Sequence, residues 1–172
     1  MKQKSVYDCG MKKSAKTSRA KVGEIIPEFS LPATGDKIVG TEDFKNKVVV
    51  LYFYPRDATP GCTIEGHDFS RLSPQFKKQG AEVFGISRDS IKSHEKFCSK
   101  EKYKIDLLSD EDEAVCKIFD VMKMKNMYGK QVRGIERSTF VLDKDGSLVK
   151  EWRGVKVPGH AEEVLEYVKS LR

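Results

Sequence analysis

The chain has 172 residues, of which 38% are hydrophobic, which is enough for one domain with one core. The formal net charge is +6, and residues 1–21 supply all of it with seven basic residues and one acidic residue. Because the remainder is balanced in charge, nothing drives the folded body toward nucleic acid. The longest apolar run, residues 48–54, is too short to span a membrane.

We expect residues 1–21 to form a basic, flexible leader and residues 22–172 to form the domain. The leader lacks the apolar stretch of a secretory signal, so the expected location is the cytoplasm, with organellar targeting by the basic leader as the alternative. The cysteines are therefore interpreted as chemistry or packing and not as a disulfide framework. They are Cys9, Cys62, Cys98 and Cys116.

The first half of the domain opens with a predicted hairpin, 28–33 and 37–40, joined through a Thr-Gly-Asp turn. Residues 48–54 are β-branched and aromatic throughout, which indicates a strand buried on both faces of a mainly parallel sheet. Thr59 followed by Pro60 is typical of a helix start, so the sequence predicts a helix from there toward Phe76.

The second half alternates strands and helices and ends with a hairpin and a helix, which predicts an α/β fold: a thioredoxin-like sandwich with a mixed central sheet flanked by helices. Within the helix predicted over 111–122, Cys116 lies one position off the apolar stripe, so we expect a half-buried packing role. The predicted strands are 81–87, 107–109, 138–142 and 147–152; the predicted helices are 90–100, 111–122 and 161–171; residues 123–133 are predicted to be a loop.

The best candidate for chemistry is Cys62, which the turn after the central strand delivers into the first turn of a helix. Open α/β sheets bind ligands at that edge, and the unpaired amides of a helix start stabilise a thiolate. No protease signature surrounds the three histidines, and Glu65 occupies the position that a Cys-x-x-Cys pair would need. The remaining common targets of the thiolate are a disulfide sulfur and a peroxide oxygen.

Cleaving an O–O bond requires donors that receive the negative charge on the leaving oxygen. Thr59, three residues before Cys62, is positioned to bring its hydroxyl beside the sulfur. An arginine suits the second donor because it stays protonated and favours the thiolate. We choose Arg137, at the start of the strand predicted over 138–142.

These residues resemble the peroxiredoxins, specifically the peroxiredoxin Q or bacterioferritin-comigratory-protein group of thiol peroxidases. The resemblance covers about residues 22–171, and several separate motifs occur in the family's order. They are Phe53-Tyr54-Pro55, Pro55-x-x-x-Thr59-x-x-Cys62, Leu108-Ser109-Asp110, Met127-Tyr128-Gly129-Lys130, Gly134-Ile135-Glu136-Arg137-Ser138-Thr139-Phe140 and Val157-Pro158-Gly159-His160.

The resemblance implies that Cys62 is the peroxidatic cysteine, which becomes a sulfenic acid as it reduces hydrogen peroxide or an organic hydroperoxide. It also implies that Pro55 shields the pocket from water, that Thr59 and Arg137 hold the peroxide, and that the backbone N–H of Gly61 contributes to the pocket.

Many members of the group carry a resolving cysteine five residues after the peroxidatic one, where this chain has His67. Other members use a cysteine on the helix after the next strand, and Cys98 matches that one. The implied cycle forms an intramolecular Cys62–Cys98 disulfide, after local unwinding of one or both helices, and a thioredoxin-type dithiol reduces it.

Three other readings stay open from the residues alone. Cys62, His67, His94 and Cys98 offer N and S ligands for zinc, although their spacing is unlike common zinc signatures. The basic leader offers a surface for a polyanion, and the same fold serves thiol–disulfide exchangers and redox sensors. Our prediction is a peroxidase without metal or cofactor, with no nucleic-acid or membrane partner, and monomeric as is common in the group.

Overall fold

The structure is a computed structural model that describes residues 18–171. The strands are β1 (Ser30–Ala33), β2 (Lys37–Gly40), β3 (Val48–Phe53), β4 (Ala81–Ser87), β5 (Asp106–Ser109), β6 (Met122–Met127), β7 (Lys130–Ile135), β8 (Ser138–Leu142) and β9 (Leu148–Arg153). The helices are α1 (Pro60–Lys78), α2 (Ile91–Glu101), α3 (Ala114–Ile118) and α4 (His160–Lys169), and Thr41–Phe44 form a short 3-10 helix.

Seven strands form one mixed sheet in the order β2-β1-β5-β4-β3-β8-β9. Strands β3, β4 and β5 are parallel, whereas β1 joins β5, and β8 joins β3, in antiparallel pairs. All six residues of β3 are buried, as expected for an uninterrupted β-branched and aromatic run inside a sheet covered on both faces. This arrangement confirms the predicted α/β sandwich.

Successive side chains of β3 point to opposite faces of the sheet, and each face has its own apolar core. On one face, here called the Cys62 face, Val50 and Tyr52 pack with Cys62 and with apolar side chains of α1, α2 and α4. On the other, the Cys116 face, Leu51 and Phe53 pack with Cys116 and the segment around α3. The two cysteines therefore lie on opposite sides of the same sheet.

Two predicted elements differ from the structure. The helix predicted over 111–122 is only the five residues of α3, because Glu113 before it and Asp120 after it both have a positive φ. The loop predicted over 123–133 is a second sheet, the antiparallel hairpin β6–β7, whose two-residue turn is Tyr128-Gly129. Both turn residues have a positive φ, which is the conformation that tight hairpins require.

Cys116 is fully buried and not half-buried, because α3 is inserted into the core of the Cys116 face. The carboxylate of Asp110 accepts hydrogen bonds from the backbone N–H groups of Val115 and Cys116, which holds the start of α3 against β5. This is a packing position, as expected, but a more enclosed one than a regular long helix would have given.

Contacts with the domain begin before Val22. The N–H of Ala20 donates to the carbonyl oxygen of Ile118 at 2.9 Å, and Arg19 forms an exposed ion pair with Asp120 at 3.2 Å. Cys9 and most of the predicted leader lie outside the described residues. Within residues 18–171, none of the helices has the length and apolar character of a membrane span.

Candidate active site

The candidate nucleophile is in the first turn of α1, directly after the loop that follows β3. Thr59 is the N-cap with an extended backbone, Pro60 is the first helical residue, and Cys62 follows two positions later. Pro60 suits this position because its fixed φ is already helical and it has no N–H to leave unpaired. The sulfur of Cys62 is thereby held where the partial positive charge of the helix start is largest, and the residue is only 2% exposed.

Arg137 contacts this sulfur from the short connection between β7 and β8. It is two residues after β7 and immediately before β8, and its Nη2 donates to Sγ of Cys62 at 3.5 Å. A guanidinium carries a permanent positive charge and several donors, so it stabilises the thiolate and has further N–H groups for an oxygen beside the sulfur. The structure thus brings together the nucleophile and the cation that the sequence predicted.

Glu65, which the sequence reasoning did not identify as a site residue, holds the guanidinium in place. Its Oε1 accepts a 2.6 Å hydrogen bond from Nη1 of Arg137, and its side chain is 2% exposed. Burial raises the pKa of Glu65 to about 7, although the positive charge of Arg137 acts in the opposite direction. The sequence did contain an indication that Glu65 belongs to the site, since a residue three positions after Cys62 lies on the same side of the helix.

Gly61 lies directly against Arg137. A Cβ atom at this position would be 3.2 Å from Nη2 of Arg137, which is closer than ordinary van der Waals contact. The absence of a side chain therefore lets the guanidinium approach the start of α1. Gly61 therefore has a steric function in addition to the backbone N–H role that the family resemblance implies.

Pro55 and Thr59, the other two predicted site residues, are half-buried in the loop that leads to Cys62. The hydroxyl of Thr59 donates to the carbonyl oxygen of Arg56 at 2.9 Å, which closes the loop on itself. Between them, Ala58 has a φ of 63°, a conformation that costs a residue with a Cβ some free energy and is often found near functional sites. The contacts of Thr59 and Pro55 with a peroxide stay predictions.

The β6–β7 hairpin borders the same site. Lys125 donates to the carbonyl oxygen of Ile135, and partial burial together with the charge of Arg137 lowers the pKa of Lys125. Lys125, Met127 and Val132 lie on one face of the hairpin, as their pairing register shows, and the last two are exposed. The segment predicted as a loop therefore supplies a cation whose charge acts on Cys62 and Arg137, on a hairpin face that also carries exposed apolar side chains.

Cys98 is on α2, half-buried, and its thiol is free in this structure. Its Sγ donates a weak hydrogen bond to the carbonyl oxygen of Ile105 at 3.9 Å, and burial raises its pKa to about 12. Tyr103 connects the two helices, because its hydroxyl donates to the carbonyl oxygen of Thr63 in α1 while its ring packs against Phe97 in α2. The structure does not bond Cys98 to Cys62.

The four ligands of the alternative zinc site already have other partners. His67 pairs with Glu101 at 2.7 Å, whereas both ring nitrogens of His94 face oxygen acceptors on Asp57 and Leu108. Asp57 and Asp89 lie beside His94 at distances that a cation could bridge, but hydrogen bonds from neighbouring donors already occupy these carboxylates. The donor sets therefore favour hydrogen bonding over metal ligation.

Comparison with known proteins places this geometry in a family. Residues 22–151 match the model of the AhpC/TSA family. The chain is 59% identical over 122 residues to a protein named peroxiredoxin Bcp from Xanthomonas campestris, which covers 71% of this chain and 76% of that protein. It is 43% identical over 150 residues to peroxiredoxin Bcp of Bacillus subtilis, covering 87% of this chain and 96% of the relative.

Solved structures agree with the sequence comparison. Xylella fastidiosa PrxQ, solved as a cysteine-to-serine mutant, has a TM-score of 0.84 and 46% identity, covering 89% of this chain and 98% of that one. Peroxiredoxin Q of Xanthomonas campestris has a TM-score of 0.79 and 52% identity, covering 83% of this chain and 90% of that one.

The fold and the site define a thioredoxin-like protein with a helix-start cysteine beside a half-buried arginine. The chain belongs to the AhpC/TSA family, and within it to the peroxiredoxin Q or bacterioferritin-comigratory-protein group. It is accordingly a thiol peroxidase that acts on peroxides.

Proposed function

We propose that Cys62 is the peroxidatic cysteine and that it reduces hydrogen peroxide and organic hydroperoxides. The observation that carries this proposal is the position of its sulfur, in the first turn of α1 and 3.5 Å from Nη2 of Arg137. Burial alone would disfavour a thiolate, so the helix start and the guanidinium are the features that make this sulfur a nucleophile.

In the first step the Cys62 thiolate attacks the terminal oxygen of the hydroperoxide. The S–O bond forms, the O–O bond breaks, and the leaving alkoxide or hydroxide takes up a proton to become an alcohol or water. Arg137 is placed to stabilise the charge that develops on the oxygens, because Glu65 holds one arm of the guanidinium while the other faces the sulfur. Thr59, Pro55 and the N–H of Gly61 are proposed to complete the peroxide pocket.

We assign Cys98 as the resolving cysteine. Its thiol attacks the Cys62 sulfenic acid, so that a disulfide forms and water leaves. Structures of the Xanthomonas protein are described with either of two cysteines replaced by serine, and those cysteines are 36 positions apart. Cys62 and Cys98 have the same separation, which supports this assignment.

An external dithiol then reduces the disulfide and is itself oxidised to a disulfide. We propose a thioredoxin-type protein for this role, a monomeric enzyme, a cytoplasmic location, and chemistry that uses no metal or cofactor beyond the thiols. A structure of the Xanthomonas relative is described in terms of its alkyl peroxide reduction activity. Met127 and Val132 are exposed on the same hairpin face as Lys125, whose charge acts on Cys62, and an apolar surface there suits an alkyl group, which supports organic hydroperoxides as substrates here.

The test treats the reduced protein with one equivalent of hydrogen peroxide and maps its cysteines by mass spectrometry. We expect a Cys62–Cys98 disulfide in the wild type, a sulfenic acid at Cys62 in Cys98→Ser, and no peroxide consumption in Cys62→Ser. Cys116→Ala is the matched control, since it removes a similarly buried thiol from the core on the other face of the sheet. A Cys62→Ser variant that still consumes peroxide would overturn the proposal.

A rate measurement separates the peroxidase from a thiol–disulfide exchanger. The Cys62 site should react with hydrogen peroxide several orders of magnitude faster than free cysteine, because charge stabilisation in a buried site lowers the barrier by several kcal/mol. An exchanger has no need of this acceleration. A reaction with peroxide at the rate of free cysteine would therefore favour the exchanger.

A further inference from the structure

A buried polar network connects the loop before Cys62 to the helix that carries Cys98. Asp57 of that loop is buried, and its Oδ2 accepts hydrogen bonds from Oγ of Ser93 at 2.7 Å and from Nδ1 of His94 at 2.8 Å. Its Oδ1 accepts a 2.6 Å bond from the hydroxyl of Tyr54. Ser93 and His94 are in the first turn of α2, so two of these bonds cross from the loop to the helix.

The network fixes His94 on both sides of its ring. Nε2 of His94 faces the carbonyl oxygen of Leu108 at 2.9 Å, while Nδ1 faces the Asp57 carboxylate, and His94 is 0% exposed. Burial by itself raises the pKa of Asp57, but the hydrogen bonds and charge of His94, with bonds from Tyr54 and Ser93, shift it downward overall. An ionised Asp57 paired with donors in α2 is a strong contact at low dielectric.

Helix α2 has few other anchors in the core. Of its eleven residues, only His94 and Phe97 are buried, whereas α1 has eight buried residues. An element with few buried contacts is the one that unfolds locally at the lowest free energy. His94 therefore contributes a large part of what keeps α2 closed against the sheet.

Cys98 lies one helical turn beyond His94. In the closed helix its thiol is directed to the carbonyl oxygen of Ile105, and burial keeps the thiol protonated. A protonated thiol is a poor nucleophile, so release of α2 would both free Cys98 to move and make it more reactive. The same hydrogen bonds that fix α2 therefore oppose the attack of Cys98 on the Cys62 sulfenic acid.

We propose that the hydrogen bonds from Ser93 and His94 to Asp57, here called the Asp57 latch, control how often α2 opens for the Cys62–Cys98 disulfide to form. This inference rests on the proposed resolving role of Cys98. The latch makes Ser93 and His94 positioning residues for the second step of the cycle and leaves the first step, oxidation of Cys62, unaffected. A sulfenic acid held longer by a closed latch has more time to react with a second peroxide and become a sulfinic acid.

The test compares the two steps in the wild type, Ser93→Ala and His94→Asn. Reduced protein is mixed with hydrogen peroxide, quenched at intervals with reagents for thiols and sulfenic acids, and analysed by mass spectrometry. Each variant removes a hydrogen bond of the network, and bonds to charged groups are strong, so disulfide formation should accelerate about threefold in Ser93→Ala and about tenfold in His94→Asn. Oxidation of Cys62 should stay within about twofold of wild type, since no latch bond touches the sulfur.

Excess peroxide provides a second readout. The peroxide concentration that converts half of Cys62 to sulfinic acid should increase by the same factors as the rate of disulfide formation. Asp110→Asn is the matched control, because Asp110 is an equally buried carboxylate that holds α3 and not α2. It should lower the stability of the fold without changing the ratio of the two rates.

Several outcomes would decide against the latch. Disulfide formation at the wild-type rate, or more slowly, in folded variants overturns it. Ser93→Ala removes only one bond of a half-buried side chain, so it provides this decision even if His94→Asn does not fold. A wild type that forms no Cys62–Cys98 disulfide instead refutes the resolving role of Cys98, and this result is visible without any latch variant.

Discussion

Cys62 and Cys116 lie on opposite faces of one sheet, and both are almost completely buried, at 2% and 0% exposure. Their neighbours differ in charge. Cys62 is at a helix start with the guanidinium of Arg137 at 3.5 Å, whereas Cys116 has the Asp110 carboxylate beside it. Burial raises the pKa of Cys116, and the negative charge of Asp110 raises it further. The two cysteines are therefore similar in burial and differ in the sign of the charge beside the sulfur: a positive neighbour favours a thiolate and a negative one disfavours it.

Removing the cation should have the largest effect, because it makes the surroundings of Cys62 more like those of Cys116. We expect Arg137→Ala to lower the rate constant for Cys62 oxidation by about 100-fold to 1000-fold, the usual cost of losing one donor to transition-state charge. Rapid-mixing measurements with hydrogen peroxide test this. Arg71→Ala is the control: it breaks an exposed ion pair between Arg71 of α1 and Glu162 of α4, and its rate constant for Cys62 oxidation should stay close to that of the wild type.

Glu65 balances the charge of Arg137, and its removal should appear in the pH dependence of stability. Its pKa is raised from 4.5 to about 7 in the folded protein, so the folded state binds more protons than the unfolded state between these values. The free energy of unfolding should therefore fall as pH rises from about 4.5 to 7, by up to about 3 kcal/mol for this group.

Glu65→Gln should abolish that fall, so that the variant gains stability relative to the wild type as pH rises and the difference is constant above about pH 8. Urea unfolding at several pH values measures it. Glu166→Gln, a change of an exposed carboxylate on α4, is the control. Parallel curves for Glu65→Gln and the wild type would contradict the burial of an ionisable group at this position.

Displacing the Arg137 guanidinium should slow Cys62 oxidation less than removing it does. In Gly61→Ala the new Cβ would lie 3.2 Å from Nη2 of Arg137, so the guanidinium must move by a few tenths of an ångström. We expect oxidation of Cys62 to slow about tenfold, since small misplacements at a reacting centre are costly. Gly134→Ala adds a methyl group with no atom nearer than 4.0 Å and should not change the rate.

The smallest effect is expected on the other face of the sheet. Cys116→Ala should leave the oxidation rate of Cys62 within about twofold of wild type and reduce stability by about 1–2 kcal/mol, because it leaves a small cavity in a packed core. Thermal unfolding and peroxide consumption measure the two quantities. A large loss of peroxide consumption with an intact fold would show that Cys116 takes part in the cycle.

Local sequence signals predicted the position of Cys62 in the fold better than they predicted the elements after β5. Thr59 and Pro60 mark a helix start through backbone preferences alone, so Cys62 in the first turn of α1 followed directly from the sequence. The helix predicted over 111–122 failed for the opposite reason. Its apolar positions keep helical spacing, but the left-handed backbone at Glu113 and Asp120 redirects the chain, and apolar periodicity does not report such turns.

Local sequence patterns were sufficient for the strands and helices outside residues 111–133 and for the position of Cys62 in the first turn of α1, because these depend on residues close together in the chain. Local patterns did not show that Glu65 holds Arg137, that Asp57 is joined to His94, or that residues 123–133 belong to a hairpin beside the site. Each of these contacts joins separate elements, and their partners are selected by packing, burial and charge in the folded protein, which no local pattern encodes.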